Sequence, residues 1–318
     1  MMNLSSIEKL VREIAGDNSG NIEVSLEGNP GDLLGKISSL KMVGVTRLSV
    51  GVQAMSDDDL LFLNRDHTVS QALQCLEQSL HVFPCSTSAD LIFGRPGQTV
   101  AEWIKEVEQL VGMGLPHLSL YQLTVERGTR LAKQVQGGQV TMPGEEAMAD
   151  MYLAAVEVLE NKGLARYEVS NFSIPGMECL HNIGYWSGRE YVGLGPGAHS
   201  RVGRGESRRA LVNTPLPEHW MVDVERKGNG VRVDKVIGVK EGLAELLASG
   251  LRREEGIDVT DWDLLSEGLV DLGELVLAVD EGLGLKFSEG RLRIPREKIA
   301  VLDHILPYIL VALDEINL

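Results

Sequence analysis

Between Ile22 and Val125, short apolar runs alternate with stretches whose apolar residues recur every three or four positions. That alternation predicts consecutive βα units. The runs IEVSLE (Ile22–Glu27), RLSVGVQ (Arg47–Gln53), ADLIFG (Ala89–Gly94) and HLSLYQLTV (His117–Val125) predict strands covered on both faces. Helices are expected over Asp32–Met42, over Ser70–Val82 and from Val100 to about Gly112. The last is well signalled: Thr99 and Glu102 form a capping box, and Val100, Trp103, Ile104, Val107, Leu110 and Val111 share a stripe. Ahead of these units, Leu4, Ile7, Leu10, Val11 and Ile14 predict an amphipathic helix capped by Ser5 or Ser6. Successive βα units call for right-handed crossovers and a parallel sheet or barrel. The units found are too few for a complete barrel, so the pattern predicts a partial barrel missing its first strands.

Further along, Pro143–Gly163 predicts a helix with Met148, Met151, Tyr152, Ala155 and Leu159 on one side. RYEVSNF (Arg166–Phe172) is strand-like, and the segment His181–Ser200 is rich in glycine and aromatic residues. The polar stretch Gly205–Pro217 reads as a linker. It sets an expected division into 1–204 and 205–318. Past it come helices over Val236–Ser249 and Glu297–Ile316, the latter kinked or restarted at Pro307, and a hairpin over Gly284–Ile294 that turns at Glu289–Gly290. Helices with a hairpin suggest a small winged-helix-like domain.

Composition narrows the function classes. The 318 residues, 43% of them hydrophobic, suffice for two domains. A net charge of −16 disfavours a general nucleic-acid or anionic-membrane binder, so DNA binding is not inferred from the winged-helix shape. Arg201, Arg204, Arg208 and Arg209 form a local basic run, which reads as a solvated loop. No stretch is long and apolar enough to span a membrane. Cys75, Cys85 and Cys179 are too few and too scattered for a disulfide framework, and no CxxC or CxxxCxxC spacing offers a local thiolate set.

Four polar residues stand where strands of a parallel barrel end or just beyond: Glu27, Gln53, Arg65 in the helix after the second strand, and Asp90. Two carboxylates, an amide and a guanidinium suit a ligand with hydroxyls, an amine and a carboxylate. Ordinary polar residues closing strands would look the same. The run GLGPGAHS (Gly193–Ser200) could cradle a phosphate but lacks a following helix, so a tight turn packing against the barrel is the better reading. His181 and His199 are candidate haem or metal ligands, with a structural role as the alternative. His67 is expected to set its loop, Asp57, Asp58 and Asp59 to favour a helix start, and Tyr185, Trp186 and Tyr191 to be core.

LEGNP, RLSVGVQ, LNRDH, DLIFGRPGQT, HLSLYQLTVERGT, YEVSNF, HNIGYW, GLGPGAHS and GLRREEGI follow one another in this order. Together they resemble the oxygen-independent coproporphyrinogen-III-oxidase-like family of radical S-adenosylmethionine (SAM) proteins, in particular its HemW haem chaperone branch. The resemblance covers nearly the whole chain. It implies an α/β fold: a partial parallel (βα)6 radical SAM barrel, here lacking its first strands, with a C-terminal helical domain. It implies that S-adenosylmethionine contacts fall on Glu27, Gln53, Arg65 and Asp90. It also implies a [4Fe–4S] cluster held by a CxxxCxxC loop, and a GGGTP motif, neither of which occurs here. The chain is therefore expected to be N-terminally truncated, to assemble no cluster as given, and to expose an unpaired strand edge at Ile22–Glu27.

The function implied is that of a mitochondrial haem chaperone, with haem and haemoprotein clients as partners and no catalytic residue assigned. A radical SAM coproporphyrinogen III oxidase is the alternative and would need a longer form supplying the cluster. A cluster-free barrel lyase has the architecture but no catalytic Lys or metal set.

Overall fold

Residues 3–16, 22–279 and 281–316 are described by the structure, a computed structural model. By internal packing the chain divides into Met1–Cys179 and Leu180–Leu318.

The first unit runs α1 (Leu4–Ala15), β1 (Ser25–Gly28), α2 (Pro30–Leu33), α3 (Ile37–Met42), β2 (Arg47–Gln53), α4 (Asp57–Phe62), α5 (Val69–Val82), β3 (Thr87–Phe93), α6 (Val100–Gly112), β4 (His117–Gln122), α7 (Arg130–Gln136), α8 (Glu145–Asn161), β5 (Ala165–Glu168) and β6 (Asn171–Ser173). The sheet order is β1-β2-β3-β4-β6-β5. β1 to β4 are parallel, and β6 joins β4 antiparallel. Among the described residues β1 is one edge strand of this sheet, as expected, and β5 the other. The strand-like Arg166–Phe172 segment is two strands of a tight hairpin rather than one.

Local signals explain the helix starts. Thr99 and Glu102 bond reciprocally at the head of α6, as Thr68 and Gln71 do at α5. Asp57, Asp58 and Asp59 fill the first turn of α4, where the helix dipole favours acids. α1 departs from expectation: Asn3 caps it rather than Ser5 or Ser6, and Ile7, Val11 and Ala15 are buried while Leu10 and Ile14 are exposed. The helix expected over Asp32–Met42 is broken at Gly35, whose φ of 76° lies in the left-handed region.

The strands are not apolar on both faces. Leu48, Val50 and Val52 of β2, Ala89, Leu91 and Phe93 of β3, and Leu118 and Leu120 of β4 form one core with Leu33, Ile37, Leu40, Leu76, Trp103 and Val107 from the flanking segments. The alternate positions are polar and in register: Glu27 pairs with Ser49, Ser49 with Ser88, and Ser88 with His117. A two-residue side-chain period puts these on the opposite face. The unit thus has one oily face under helices and one polar face.

The second unit runs α9 (Leu180–Trp186), β7 (His199–Val202), β8 (Arg209–Asn213), α10 (Pro217–Lys227), β9 (Val231–Val236), α11 (Val239–Gly250), β10 (Ile257–Asp258), α12 (Val259–Ser266), α13 (Leu272–Ala278), β11 (Lys286–Ser288), β12 (Arg291–Arg293) and α14 (Leu302–Glu315). The segment read as a linker contains β8, the middle strand of the sheet β7-β8-β9. A boundary at 204/205 would part β7 from its partner, so residues 180–204 belong with the second unit. Helices α11 to α14 enclose a second core around Trp262 and Leu247. The order β10-β12-β11, with the Glu289–Gly290 turn at φ 54° and 72°, gives the expected winged-helix-like arrangement. Pro307 lies inside α14, and the break before it is a 3-10 turn ending at Val301. Among the described residues, no helix is long and apolar enough to cross a membrane.

Candidate cofactor site at the strand ends

β1, β2 and β3 deliver Glu27, Gln53 and Asp90 to one cavity of ≈ 330 Å³, completed by Gly28, Asn29, Asp32 and Gly51. Its size is at the small end of ligand pockets, roughly 300–1,000 Å³. The lining includes Glu27, Asp32 and Asp90 but no Lys or Arg. Such a site accepts hydrogen bonds from an ammonium or from hydroxyl groups.

The local backbone is built for this. β2 shifts register against β3 between Val50 and Gln53, and Gln53 takes φ 71°, which costs a non-glycine residue energy. The bulge turns the Gln53 amide into the cavity. A Cβ on Gly51 would stand 2.7 Å from Gln53 Nε2, so only glycine leaves that amide its place.

Asp90 is half-buried and lines the same cavity as Gln53. The Ser49 hydroxyl donates to its two oxygens at 3.1 and 3.2 Å. Burial pushes its pKa from 3.8 up to about 6, with the Glu27 charge adding to the rise and the Ser119 and Ser49 hydroxyls opposing it. Ser119 in turn donates to Asn171 Oδ1 at 2.8 Å, tying β4 to β6. Tyr121, beside this group, has its phenol pushed up to about 12, first by burial and then by the Asp90 charge.

Arg65 is not among the cavity's lining residues, and it lies in the loop after α4 rather than in a helix. Asn64 adopts φ 55°, and the Arg65 amide closes a Schellman turn onto Leu60 O at 2.9 Å. Its Nε is buried without a hydrogen-bond partner. His67 holds the same loop to β2 through Nε2 and Val52 O at 3.2 Å, as expected.

The cysteines lie elsewhere. Cys75 is in the core, its thiol pushed up to about 11 by burial; Cys85 is exposed; Cys179 is buried, its Sγ 3.5 Å from Glu23 Oε1. Among the described residues no three His, Cys, Asp or Glu side chains could jointly hold a metal ion. The donor set therefore does not fit an iron–sulfur cluster, whereas the acidic cavity with its amide fits the amine and hydroxyls of S-adenosylmethionine.

In the second unit, His181 is exposed at the start of α9 and meets Tyr185 edge-on at 4.6 Å. His199 is exposed on β7. The glycine-rich run is a tight turn pinned by the unit's own β8, with Asn213 donating to Gly195 O at 2.9 Å. Tyr185, Trp186 and Tyr191 are not core; they line a partly open cavity. Arg201 and Arg208 are not a solvated loop either, since Arg208 is buried and Arg201 pairs with Glu245.

Asn29, Asp32 and Gly51 were missed from sequence. Asn29 and Asp32 flank the Pro30 helix start two and five residues after Glu27, which was the available signal.

Comparison with known proteins identifies the family. Residues 2–110 match the Radical SAM superfamily. The chain is 39% identical over 302 residues to the zebrafish (Danio rerio) radical S-adenosyl methionine domain-containing protein 1, mitochondrial, covering 92% of this chain and 68% of that protein. It is 32% identical over 255 residues to heme chaperone HemW of Bacillus subtilis, covering 80% and 66%. Its fold matches Escherichia coli coproporphyrinogen III oxidase (HemN), a radical SAM enzyme, with a TM-score of 0.77 at 17% identity, over 99% of this chain and 75% of that one. The chain belongs to the radical SAM superfamily, in the group that holds the mitochondrial radical SAM domain-containing protein 1 and heme chaperone HemW.

Proposed function

We propose that this protein is a haem chaperone on a radical SAM fold, binding S-adenosylmethionine in the first unit and haem in the second, and passing haem to haemoprotein clients. The observation that carries the cofactor half is the convergence of Glu27, Gln53 and Asp90 on one acidic cavity. Glu27 and Asp90 would accept from the ligand's ammonium and hydroxyls, and Gln53 would both donate and accept. Arg65 would offer a guanidinium to its carboxylate from the adjoining loop.

The haem half is supported by the relatives named heme chaperone HemW, and by His181, an exposed imidazole against an aromatic ring. A mitochondrial location is supported by the names of the zebrafish, mouse and bovine relatives. Likeness to the oxidase at 17% identity speaks for the fold and lends the oxidase reading no further weight.

Two titrations test the proposal. Calorimetry with S-adenosylmethionine should show binding that Glu27→Gln weakens at least about tenfold, the size of one lost charge-assisted contact. Haem titration followed in the Soret band should differ between the wild type and His181→Ala or His199→Ala. Unchanged spectra in both variants would remove these histidines as ligands.

A further inference from the structure

The second unit holds a cavity of ≈ 370 Å³ into which Arg189, Arg201, Arg208 and Arg252 all reach. In a chain of net charge −16 this concentration of guanidinium groups is local and specific. Glu245 is the one carboxylate in the lining. Arg201 already claims it, its Nε donating to Oε2 at 2.9 Å and its Nη2 to Oε1 at 2.7 Å.

Arg208 is 4% exposed. Both its terminal nitrogens donate to Gly188 O at 3.2 Å, its Nε has no hydrogen-bond partner, and Glu245 is 4.0 Å away. Arg252 donates to Asp303 at 2.6 Å and lies 5.9 Å from the Trp186 ring centroid. Arg189 is exposed, with the Asp261 carboxylate attracted to it through space. Arg201 and the buried Arg208 thus share one carboxylate, and a buried guanidinium so weakly compensated is costly unless a further anion completes it.

Aromatic rings share the lining. Tyr185 and Tyr191 have centroids 4.4 Å apart, and Trp186 adjoins them. Inorganic phosphate would use the arginines and leave the rings idle. A planar aromatic ligand with carboxylate groups uses both.

We infer that this cavity binds a planar aromatic carboxylate and, resting on the haem reading above, that it holds the tetrapyrrole by its propionates, with Arg189 and Arg252 as the accessible contacts. The arginines then set preference among tetrapyrroles by their side-chain charge, independently of the iron. Guanidinium and carboxylate meet in a bidentate fork, and tetrapyrrole rings stack on aromatic faces.

The test titrates the full chain with haem, with haem dimethyl ester and with metal-free protoporphyrin, following porphyrin absorbance and tryptophan quenching. The wild type should bind haem about tenfold or more tightly than the ester, as expected for loss of a charge-assisted contact. Arg189→Ala with Arg252→Ala should erase that preference, weakening haem and protoporphyrin alike while leaving the ester unchanged. Circular dichroism checks that the variant is folded, and Arg189→Ala alone should give part of the effect if the double variant is not. Equal affinity for haem and its ester, or a variant that keeps the preference, overturns this inference and leaves the haem reading standing. No binding of either haem or protoporphyrin by the wild type overturns both.

Discussion

Asp90→Asn should stabilise the protein while removing a ligand contact. The Asp90 carboxyl is raised from 3.8 to about 6, chiefly by burial and further by Glu27. The folded state therefore holds this proton more tightly than the unfolded chain. Between those pH values the folded state is the more protonated, so stability falls as pH rises through the window, and the full cost is present above about pH 6. At about 1.4 kcal/mol per tenfold change in proton affinity, the cost approaches about 3 kcal/mol. Asparagine keeps an oxygen to accept from Ser49 and carries no charge to desolvate. At pH 8 the variant should melt higher than wild type, by up to roughly 6–12 °C at about 2–4 °C per kcal/mol. The gap should shrink on acidification and close near pH 4. The check is differential scanning calorimetry of both proteins from pH 4 to pH 8, following the lower transition if the two units melt apart. Equal melting at pH 8, or a gap that persists at pH 4, would refute the assignment of Asp90 as a carboxylate held at a cost. Calorimetric titration of the same variant should show weakened S-adenosylmethionine binding. A substitution that stabilises and disarms together marks a residue kept for its ligand.

Gly51→Ala should weaken the same ligand with little change in stability, because the added Cβ lies 2.7 Å from the mobile end of Gln53 and displaces that amide; binding and melting measured together separate the two effects. Arg95→Ala should cost about 3–5 kcal/mol in urea unfolding, since it strands the buried Glu106 carboxylate and Asp59, 3.3 Å away; pairing Arg95→Met with Glu106→Leu should recover most of the loss. His117, bonded to Ser88 and Tyr167 at 2.7 and 2.8 Å, has its pKa pushed from 6.5 down to about 3, first by burial and then by the Arg47 charge. The unfolded chain takes that proton first, so the His117 contribution is lost as pH falls from 6.5 towards 3, and His117→Gln should flatten that part of the stability profile, read from urea midpoints at pH 7 and pH 5.

What could be read from the sequence was governed by local chemistry. The capping boxes at Thr68 and Thr99, the acids at Asp57–Asp59 and the turn at Glu289–Gly290 are decided within a few residues, and each stands where its neighbours dictate. The errors occur where a distant partner decides. Ile14 matches the α1 stripe but is 65% exposed, because the segments packed there cover Ile7, Val11 and Ala15 instead. RALVN in the supposed linker is a strand only because β7 and β9 flank it. Arg65 was placed in a helix from the pattern, whereas the left-handed Asn64 ends α4 and leaves it in the loop beyond.

The strand interiors are the instructive case. RLSVGVQ was read as an apolar run, yet its odd positions are Arg47, Ser49, Gly51 and Gln53, and its neighbours repeat the pattern with Ser88 and Asp90, then His117 and Ser119. A strand covered by oil on both faces gains nothing from serine, glycine and aspartate in step with the strands beside it, and each unpaired polar group there would cost stability. Three adjacent strands bearing them in register need a polar counterpart. Part of it is internal, as Ser88 with His117 and Ser49 with Asp90 show. At the C-terminal ends of the strands the arrangement costs energy: Gln53 is held in a strained backbone conformation, and Asp90, despite its serine partners, keeps a charge that folding alone would have discarded. That gradient, from neutral polar pairs at the strand starts to a strained Gln53 and a carboxylate held at a cost at the strand ends, points to the ligand end of the sheet more firmly than any single residue on it.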